Sequence, residues 1–333
     1  MKRRTFMKSA MAAGIAGPVL GAASAELPKP GRAGPAEQAT GLTLANLQSS
    51  DGPRLAVKTA RGVLDAVQAG KLLKKRVPRT TDELIASGPQ QLAACIEAAL
   101  KSKRDELFVT EEKAAFAPAV TNPQKIVCIG LNYRRHAKEI GMAEPKAPIL
   151  FNKFNNSLAG HRATVPTKGL PFDHFDYEVE LVIVIGKRCV NTEEDKALDF
   201  AFGYATGNDF SERASQLITS QWMAGKTSDG FAPLGPWLVC ADLVGNPDDL
   251  KVETKVNGEV RQSSNTSDMI FGCKKLISYC SKLFPLEPGD IIYTGTPEGV
   301  VLGMPKEKQV WLKPGDKVVT SIEKLGALEI TVG

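Results

Sequence analysis

Two glutamates, Glu178 and Glu180, lie two positions apart in the strongly apolar stretch Asp176–Gly186. The β-branched residues of this stretch and its terminal glycine predict one β-strand. Because alternate side chains of a strand share a face, both carboxylates lie on one side. Like charges on a buried strand repel each other and lose hydration, and a hard divalent cation would satisfy both. A surface strand with solvated glutamates is the alternative, but the unbroken apolar run 181–185 favours burial and therefore a metal.

A third carboxylate, Asp209, follows in the segment 207–213, which reads Gly-Asn-Asp-Phe-Ser-Glu-Arg. Asp209 and Glu212 also match a capping box that opens a helix, so the residues alone leave both roles open. Three carboxylates with positions left for water or substrate suit Mg²⁺ or Mn²⁺ rather than zinc.

Histidine is scarce, and one of the three histidines, His136, precedes Glu139 by three residues. On a predicted helix the two side chains face the same way. A carboxylate beside an imidazole orients it and raises its basicity, which makes the pair a candidate general base. A charged pair on the helix surface is the alternative. His161 and His174 lie in loop-like segments and receive no role.

The elements that must position these residues are mostly strands, and strands and helices do not alternate along the chain as they would in β-α-β units. This pattern predicts a mainly β core with peripheral helices, an α+β fold. A glycine-rich turn, 295–299, follows one strand and could present backbone N–H groups to an anion, although such turns are also common connectors. The predicted strands cover residues 42–47, 54–57, 61–65, 125–130, 150–153, 176–186, 202–206, 236–240, 251–256, 290–294 and 316–322, and the predicted helices cover 81–87, 89–101, 132–140, 211–222 and 269–282.

The N-terminus reads as a twin-arginine signal peptide over residues 1–25. It has paired Arg3 and Arg4, a mild apolar region at 10–20 and the small-residue sequence Ala-Ser-Ala at 23–25. This predicts export in the folded state to the periplasm, with no membrane insertion after cleavage. A linker rich in Pro, Gly and Ala is predicted at 26–41, then a small N-terminal module at 42–118 and a main catalytic domain at 119–333.

Composition excludes several classes of protein. Removing the four basic residues of the predicted signal lowers the formal net charge from +5 to +1, and no basic stripe is interleaved with aromatic residues, so nucleic-acid binding is not expected. The six cysteines are scattered without a C-x-x-C motif, which predicts free, buried thiols rather than disulfides or a thiolate metal site.

From about Lys125 to Val332 the chain resembles the fumarylacetoacetate hydrolase family. The matching segments occur in the family's order, and the N-terminal module resembles an accessory region of many members. Leu131 and Arg135 stand where several acylpyruvate-cleaving members have arginine and aspartate. The matching segments are Ile129–Tyr133 with His136, Asp176–Leu181, Gly207–Asp209, Arg213 with Gln216, Gly225–Lys226, Val256–Gly258 and Thr294–Val300.

The resemblance implies a mixed β-roll core, a homodimer and one divalent metal, Mg²⁺ or Mn²⁺, held by Glu178, Glu180 and Asp209. It further implies His136 with Glu139 as the water-activating pair on a lid, with Lys226 holding substrate or stabilising oxyanion charge. Arg213, Gln216 and Thr296 would line the substrate pocket.

The implied activity is metal-dependent chemistry on α-keto or β-diketo acids through a stabilised enolate. We expect hydrolysis of a C–C bond in an acylpyruvate- or fumarylacetoacetate-like substrate. Decarboxylation of an oxaloacetate-like acid and isomerisation of a hydroxymuconate-like diacid are alternatives on the same fold. A periplasmic keto-acid binding protein is the non-enzymatic alternative, but binding alone would need no base.

Overall fold

The structure is a computed structural model that describes residues 38–333. The predicted signal peptide at 1–25 and residues 26–37 of the predicted linker lie outside the described residues.

Strands dominate the described chain. In chain order they are β1 Thr43–Leu47, β2 Arg54–Thr59, β3 Gly62–Asp65, β4 Phe108–Val109, β5 Phe116–Ala117, β6 Ile126–Gly130, β7 Ile149–Lys153, β8 Leu158–Ala159, β9 Ala163–Val165, β10 Phe175–Asp176, β11 Val179–Ile185, β12 Ala201–Asn208, β13 Ser211–Glu212, β14 Ala232–Cys240, β15 Lys251–Val256, β16 Glu259–Asn265, β17 Ile291–Tyr293, β18 Lys317–Ile322 and β19 Gly326–Val332.

Helices are short and lie between these strands. The α-helices are α1 Ala66–Leu73, α2 Thr81–Ser87, α3 Gln90–Lys101, α4 Arg134–Glu139, α5 Arg213–Gln216, α6 Ala241–Val244 and α7 Cys273–Leu283. The 3-10 helices are Asp105–Leu107, Asn155–Ser157, Glu194–Phe200, Trp222–Gly225, Thr266–Asp268, Val301–Gly303 and Lys306–Lys308.

A twelve-stranded mixed sheet forms the centre of the molecule, in the order β4-β3-β2-β1-β14-β12-β11-β17-β6-β7, with β5 on β1 and β8 on β14. Strand β11 pairs antiparallel with β12 on one side and β17 on the other. Its alternate residues enter separate apolar clusters, Leu181, Ile183 and Ile185 on one face and Val182 and Val184 on the other. Burial on both faces explains why residues 181–185 show no polar alternation.

A second sheet of five strands, β16-β15-β18-β19-β9, is built differently. Strands β15 and β18 alternate between buried and accessible residues, as expected for strands with one solvated face. The predicted hairpin turn at Asn257-Gly258 connects β15 to β16, with both residues at positive φ. A mainly β fold with peripheral helices is therefore confirmed.

Three predicted elements differ from the structure. The strand predicted at 176–186 is interrupted, because Phe175 and Asp176 pair with β13 while β11 begins only at Val179. The helix predicted at 211–222 is limited to α5, which the Glu212 side chain caps by accepting the N–H groups of Ala214 and Ser215. Helix α7 begins at Cys273 rather than at 269, and helix α1 was not predicted.

The domain boundary at 118/119 stays a prediction. Strand β1 of the predicted N-terminal module pairs with β14, so both regions contribute to one sheet. All six cysteines are buried and free. No helix within residues 38–333 combines the length and the hydrophobicity that a membrane span requires.

Candidate active site

Glu178, Glu180 and Asp209 converge at the end of the β11–β12 pair. Glu178 lies in the break before β11, Glu180 lies within β11, and Asp209 follows β12. Each is buried, and each offers an oxygen within 4.8 Å of the oxygens offered by the other two. The Asp209 N–H donates to the backbone carbonyl of Glu178, which fixes the two residues side by side. The capping-box alternative for Asp209 is wrong, because Glu212 caps the helix.

Buried cations neutralise two of these carboxylates. The Nζ of Lys226 lies 2.7 Å from Glu178 Oε2 and 2.6 Å from Asp209 Oδ2. The Nη2 of Arg213 donates to Glu178 Oε1 at 2.5 Å. Burial opposes ionisation of Glu178, but Arg213 and Lys226 outweigh it and lower the pKa of Glu178 to about 2. Burial likewise opposes the charge of Lys226, and its carboxylate partners outweigh burial and raise its pKa.

Lys153, which the sequence analysis did not assign to the site, forms a buried ion pair with Asp209. Its Nζ is 2.6 Å from Asp209 Oδ1 and donates to the carbonyls of Phe210, Lys226 and Phe231. The ammonium group thus has four oxygen neighbours for its three hydrogens, and its charge is paired with Asp209. Burial lowers the pKa of Lys153 despite its carboxylate partner. A single lysine ending an edge strand gave no signal of this role in the sequence.

Glu180 is the carboxylate without a basic partner among the described ion pairs. The N–H of Gly295 donates to its Oε2 at 2.7 Å. Burial, together with the charges of Asp209 and Glu178, raises the pKa of Glu180 well above its usual value. The predicted anion-binding turn 295–299 thus binds carboxylates of the protein itself, since the N–H of Gly299 donates to Glu139 Oε1 at 2.9 Å.

This donor set fits a hard divalent cation. All three candidate ligands present oxygen, and Glu180 has no basic partner among the described ion pairs. Buried carboxylates in this condition gain from a cation that replaces their lost hydration. Oxygen ligands suit Mg²⁺ or Mn²⁺.

The His136–Glu139 pair forms as predicted, on α4. The Nδ1 of His136 lies 3.1 Å from Glu139 Oε2, and His136 is 8% exposed. The other Glu139 oxygen accepts the N–H of Gly299, so Glu139 joins α4 to the glycine-rich turn. This arrangement orients the imidazole and leaves Nε2 for proton exchange.

Arg213 and Gln216 occupy one turn of α5 and contact each other, with Arg213 Nη1 donating to Gln216 Oε1 at 2.9 Å. The Nε of Arg213 donates to Asp176 Oδ2 at 2.8 Å. Asp176 also accepts the N–H groups of Val301 and Leu302, which connects the 3-10 helix Val301–Gly303 to Arg213 and, through it, to Glu178. The sequence placed Asp176 in the central strand and did not reveal this connecting role.

Thr296 is positioned by Gln262, a residue that sequence reasoning also missed. The Nε2 of Gln262 donates to Thr296 Oγ1 at 2.9 Å and to the Pro297 carbonyl at 3.0 Å. Its Oε1 accepts the N–H of Val179 and the hydroxyl of Thr254. Because Thr296 Oγ1 accepts from Gln262, its own hydrogen remains available to a ligand.

One cavity of about 750 Å³ brings these groups together. It is lined by all nine residues that the sequence proposed for the site, which are His136, Glu139, Lys226, Arg213, Gln216, Thr296, Glu178, Glu180 and Asp209. Their individual roles stay predictions.

Comparison with known proteins agrees with this architecture. Residues 125–333 match the family described as fumarylacetoacetate (FAA) hydrolase, C-terminal. The chain belongs to the fumarylacetoacetate hydrolase family. It is 36% identical to the mitochondrial oxaloacetate tautomerase of Xenopus laevis, over 87% of this chain and 90% of that protein.

Solved members of the family share the fold. A fumarylacetoacetate hydrolase from Exiguobacterium antarcticum superposes with a TM-score of 0.73 at 30% identity, covering 87% of this chain and 99% of that one. A fumarylpyruvate hydrolase from Pseudomonas aeruginosa, solved with Mn²⁺ and pyruvate, has a TM-score of 0.58 at 30% identity, covering 68% and 98%. Members of this family are enzymes acting on small molecules. The Mn²⁺ in the Pseudomonas aeruginosa structure and the buried acidic cluster of this chain together support dependence on a divalent metal.

The predicted periplasmic location is wrong. The oxaloacetate tautomerases of Xenopus laevis, Bos taurus and Homo sapiens that resemble this chain are mitochondrial proteins. Basic residues followed by an apolar stretch occur in more than one kind of targeting segment, so the N-terminal pattern does not specify a destination.

Proposed function

We propose that this protein is a divalent-metal-dependent enzyme that interconverts the enol and keto forms of a 2-oxo acid of the oxaloacetate class. The observation that carries the proposal is the shared cavity, which both the buried carboxylates and the His136–Glu139 pair line. The tautomerase relative in Xenopus laevis, similar over most of both chains, supports this reaction.

Glu178, Glu180 and Asp209 would hold the cation, which would supply positive charge to stabilise an enolate. In the enol-to-keto direction the C2 hydroxyl gives its proton to water, C3 receives a proton from the His136 imidazolium, and the neutral imidazole regains a proton from water; the keto-to-enol direction reverses each transfer. Nε2 of His136 exchanges the C3 proton while Glu139 holds Nδ1 and stabilises the imidazolium. Lys226 and Arg213 keep Glu178 oriented and charged. The Thr296 hydroxyl donates to a substrate oxygen.

C–C bond hydrolysis of an acylpyruvate is the second candidate, supported by the fumarylpyruvate hydrolase that shares the fold. In that reaction Nε2 of His136 takes the proton from an attacking water. Decarboxylation of oxaloacetate needs no water and no base at Nε2. A homodimer, implied by the family resemblance, belongs to the same proposal.

The proposal is tested by following enol-oxaloacetate by its ultraviolet absorbance, with Mg²⁺ or Mn²⁺ added to chelator-treated protein. We expect metal-dependent acceleration and a loss of about 10²-fold or more in His136→Gln. His174→Gln is the matched control, because His174 packs against Trp311 outside the cavity. Wild-type activity in His136→Gln contradicts the assigned base, and pyruvate release from acylpyruvates without enol turnover favours hydrolysis.

A further inference from the structure

The cavity has two chemically different ends. One end carries the carboxylates and their basic partners. The other is lined by uncharged side chains, namely Ile129, Leu131, Ile149, Phe151, Leu217 and Trp222. A volume of about 750 Å³ lies within the range of about 300–1,000 Å³ typical of sites for larger ligands, and a four-carbon acid would leave the apolar end unfilled.

The rings of Phe151 and Trp222 pack together and form an aromatic wall at the apolar end of the cavity. Phe151 of β7 and Trp222 pack edge to face, with centroids 5.4 Å apart and planes at 70°. Gly130 of β6 makes room for this wall, since a Cβ at that position would collide with the indole of Trp222. Both rings are only partly buried and both line the cavity, so each presents surface to a ligand.

The aromatic wall begins directly beside the charged end. The Nζ of Lys226 lies 5.3 Å from the centre of the Phe151 ring while it donates to Glu178 and Asp209. An aromatic surface therefore lies within 5.3 Å of the ammonium group that holds the carboxylate cluster, close enough for a substituent on a molecule anchored there to reach it. Aromatic and alkyl groups gain free energy on such a surface by leaving water.

We propose that Phe151 and Trp222 form a subsite for an uncharged aromatic or extended alkyl substituent on the 2-oxo acid. The inference rests on the proposed function, because the 2-oxo acid is the anchoring group. Lys306, an exposed residue at the cavity's edge, offers the competing possibility of an anionic substituent. The side chains that line the cavity around Phe151 and Trp222, Ile129 and Ile149 of the paired strands β6 and β7, are uncharged, and this favours the uncharged group, since a charge there would lose hydration.

Binding tests the subsite independently of turnover. Calorimetry on Mg²⁺-loaded protein compares pyruvate, which lacks a substituent, with phenylpyruvate and with oxaloacetate, and tryptophan fluorescence reports contact with Trp222. We expect phenylpyruvate to bind about tenfold more tightly than pyruvate. Trp222→Ala should remove that advantage and leave pyruvate affinity unchanged, whereas Trp222→Phe should keep most of it.

Phe172→Ala is the control, because Phe172 is an exposed aromatic residue outside this cavity. Phe151→Leu provides a second route if Trp222→Ala does not fold, and it should also reduce the advantage of phenylpyruvate. Equal affinity for phenylpyruvate and pyruvate overturns the proposal. So does tighter binding of oxaloacetate that Lys306→Ala abolishes.

Turnover separates this proposal from the proposed function. If the aromatic preference in binding persists while no 2-oxo acid is converted, the subsite stands and the proposed function fails. If enol-oxaloacetate is converted but the aromatic preference is absent, the proposed function stands and the subsite fails.

Discussion

Glu180 is the residue whose environment most requires a cation. It is 1% exposed, and the described structure pairs it with a backbone N–H rather than a basic side chain. We predict that Glu180→Gln unfolds at the same or a higher temperature than the wild type without metal, because glutamine keeps the shape of the protonated side chain and removes the cost of ionising a buried carboxyl group. The wild type should gain about 2.7 kcal/mol when the metal is 100-fold above its dissociation constant, and the variant should not.

Thermal unfolding with and without Mn²⁺ measures this effect. Glu97→Gln is the control, since Glu97 lies exposed on α3 and its replacement leaves the site intact. Equal stabilisation of Glu180→Gln and wild type by Mn²⁺ would remove Glu180 from the ligand set.

The raised pKa of Glu180 predicts that the stability of the metal-free protein and its affinity for metal both depend on pH. In the metal-free protein the folded state favours protonated Glu180, so its contribution to stability is complete below the ordinary value of 4.5 and declines as the pH rises above it. A cation must displace that proton, so metal affinity should increase with pH over the same window. Calorimetry in buffers of different ionisation enthalpy should show proton release, and a buffer-independent enthalpy contradicts the assignment.

At the scale of a single element, the position of helix α4 depends on Glu139. This carboxylate orients His136 and also accepts the Gly299 N–H, so it both orients the candidate base and holds α4 against the turn 295–299. Glu139→Ala should lose both functions and increase hydrogen exchange in α4. Glu139→Gln retains an oxygen for Gly299, so exchange should stay near wild type while activity falls.

Comparison of the two variants by hydrogen exchange and enol turnover separates docking from catalysis. Unchanged exchange in Glu139→Ala would show that other contacts hold α4. Full activity in Glu139→Gln would show that the charge on Glu139 is not needed to orient or stabilise the His136 imidazole.

The sequence revealed those elements whose signals are local. The apolar run of β11, the Asn257-Gly258 hairpin and helix α2 were predicted close to their observed bounds. The helix predicted at 211–222 was too long, because the Glu212 cap and the side-chain bonds of Arg213 confine α5 to a single turn. Tertiary contacts outweigh helix propensity in so short a segment.

At the scale of the whole molecule, the candidate site was predictable where residue type alone signals chemistry. Glu178, Glu180 and Asp209 converge as expected. The roles of Lys153 and Gln262 at the site were not predicted, because their partners are distant in sequence. Gln262, for example, lies 34 residues from Thr296. A lysine or glutamine on a strand is usually solvent-facing, and only the packed sheets show that these two are buried.

The central claim is that one divalent cation binds between Glu178, Glu180 and Asp209 within the cavity that holds His136. Anomalous diffraction from crystals grown with Mn²⁺ tests it most directly. We predict one strong peak about 2.0–2.3 Å from an oxygen of each carboxylate, and its absence in Glu180→Gln. A peak bound elsewhere, or the same peak retained in Glu180→Gln, would contradict the account.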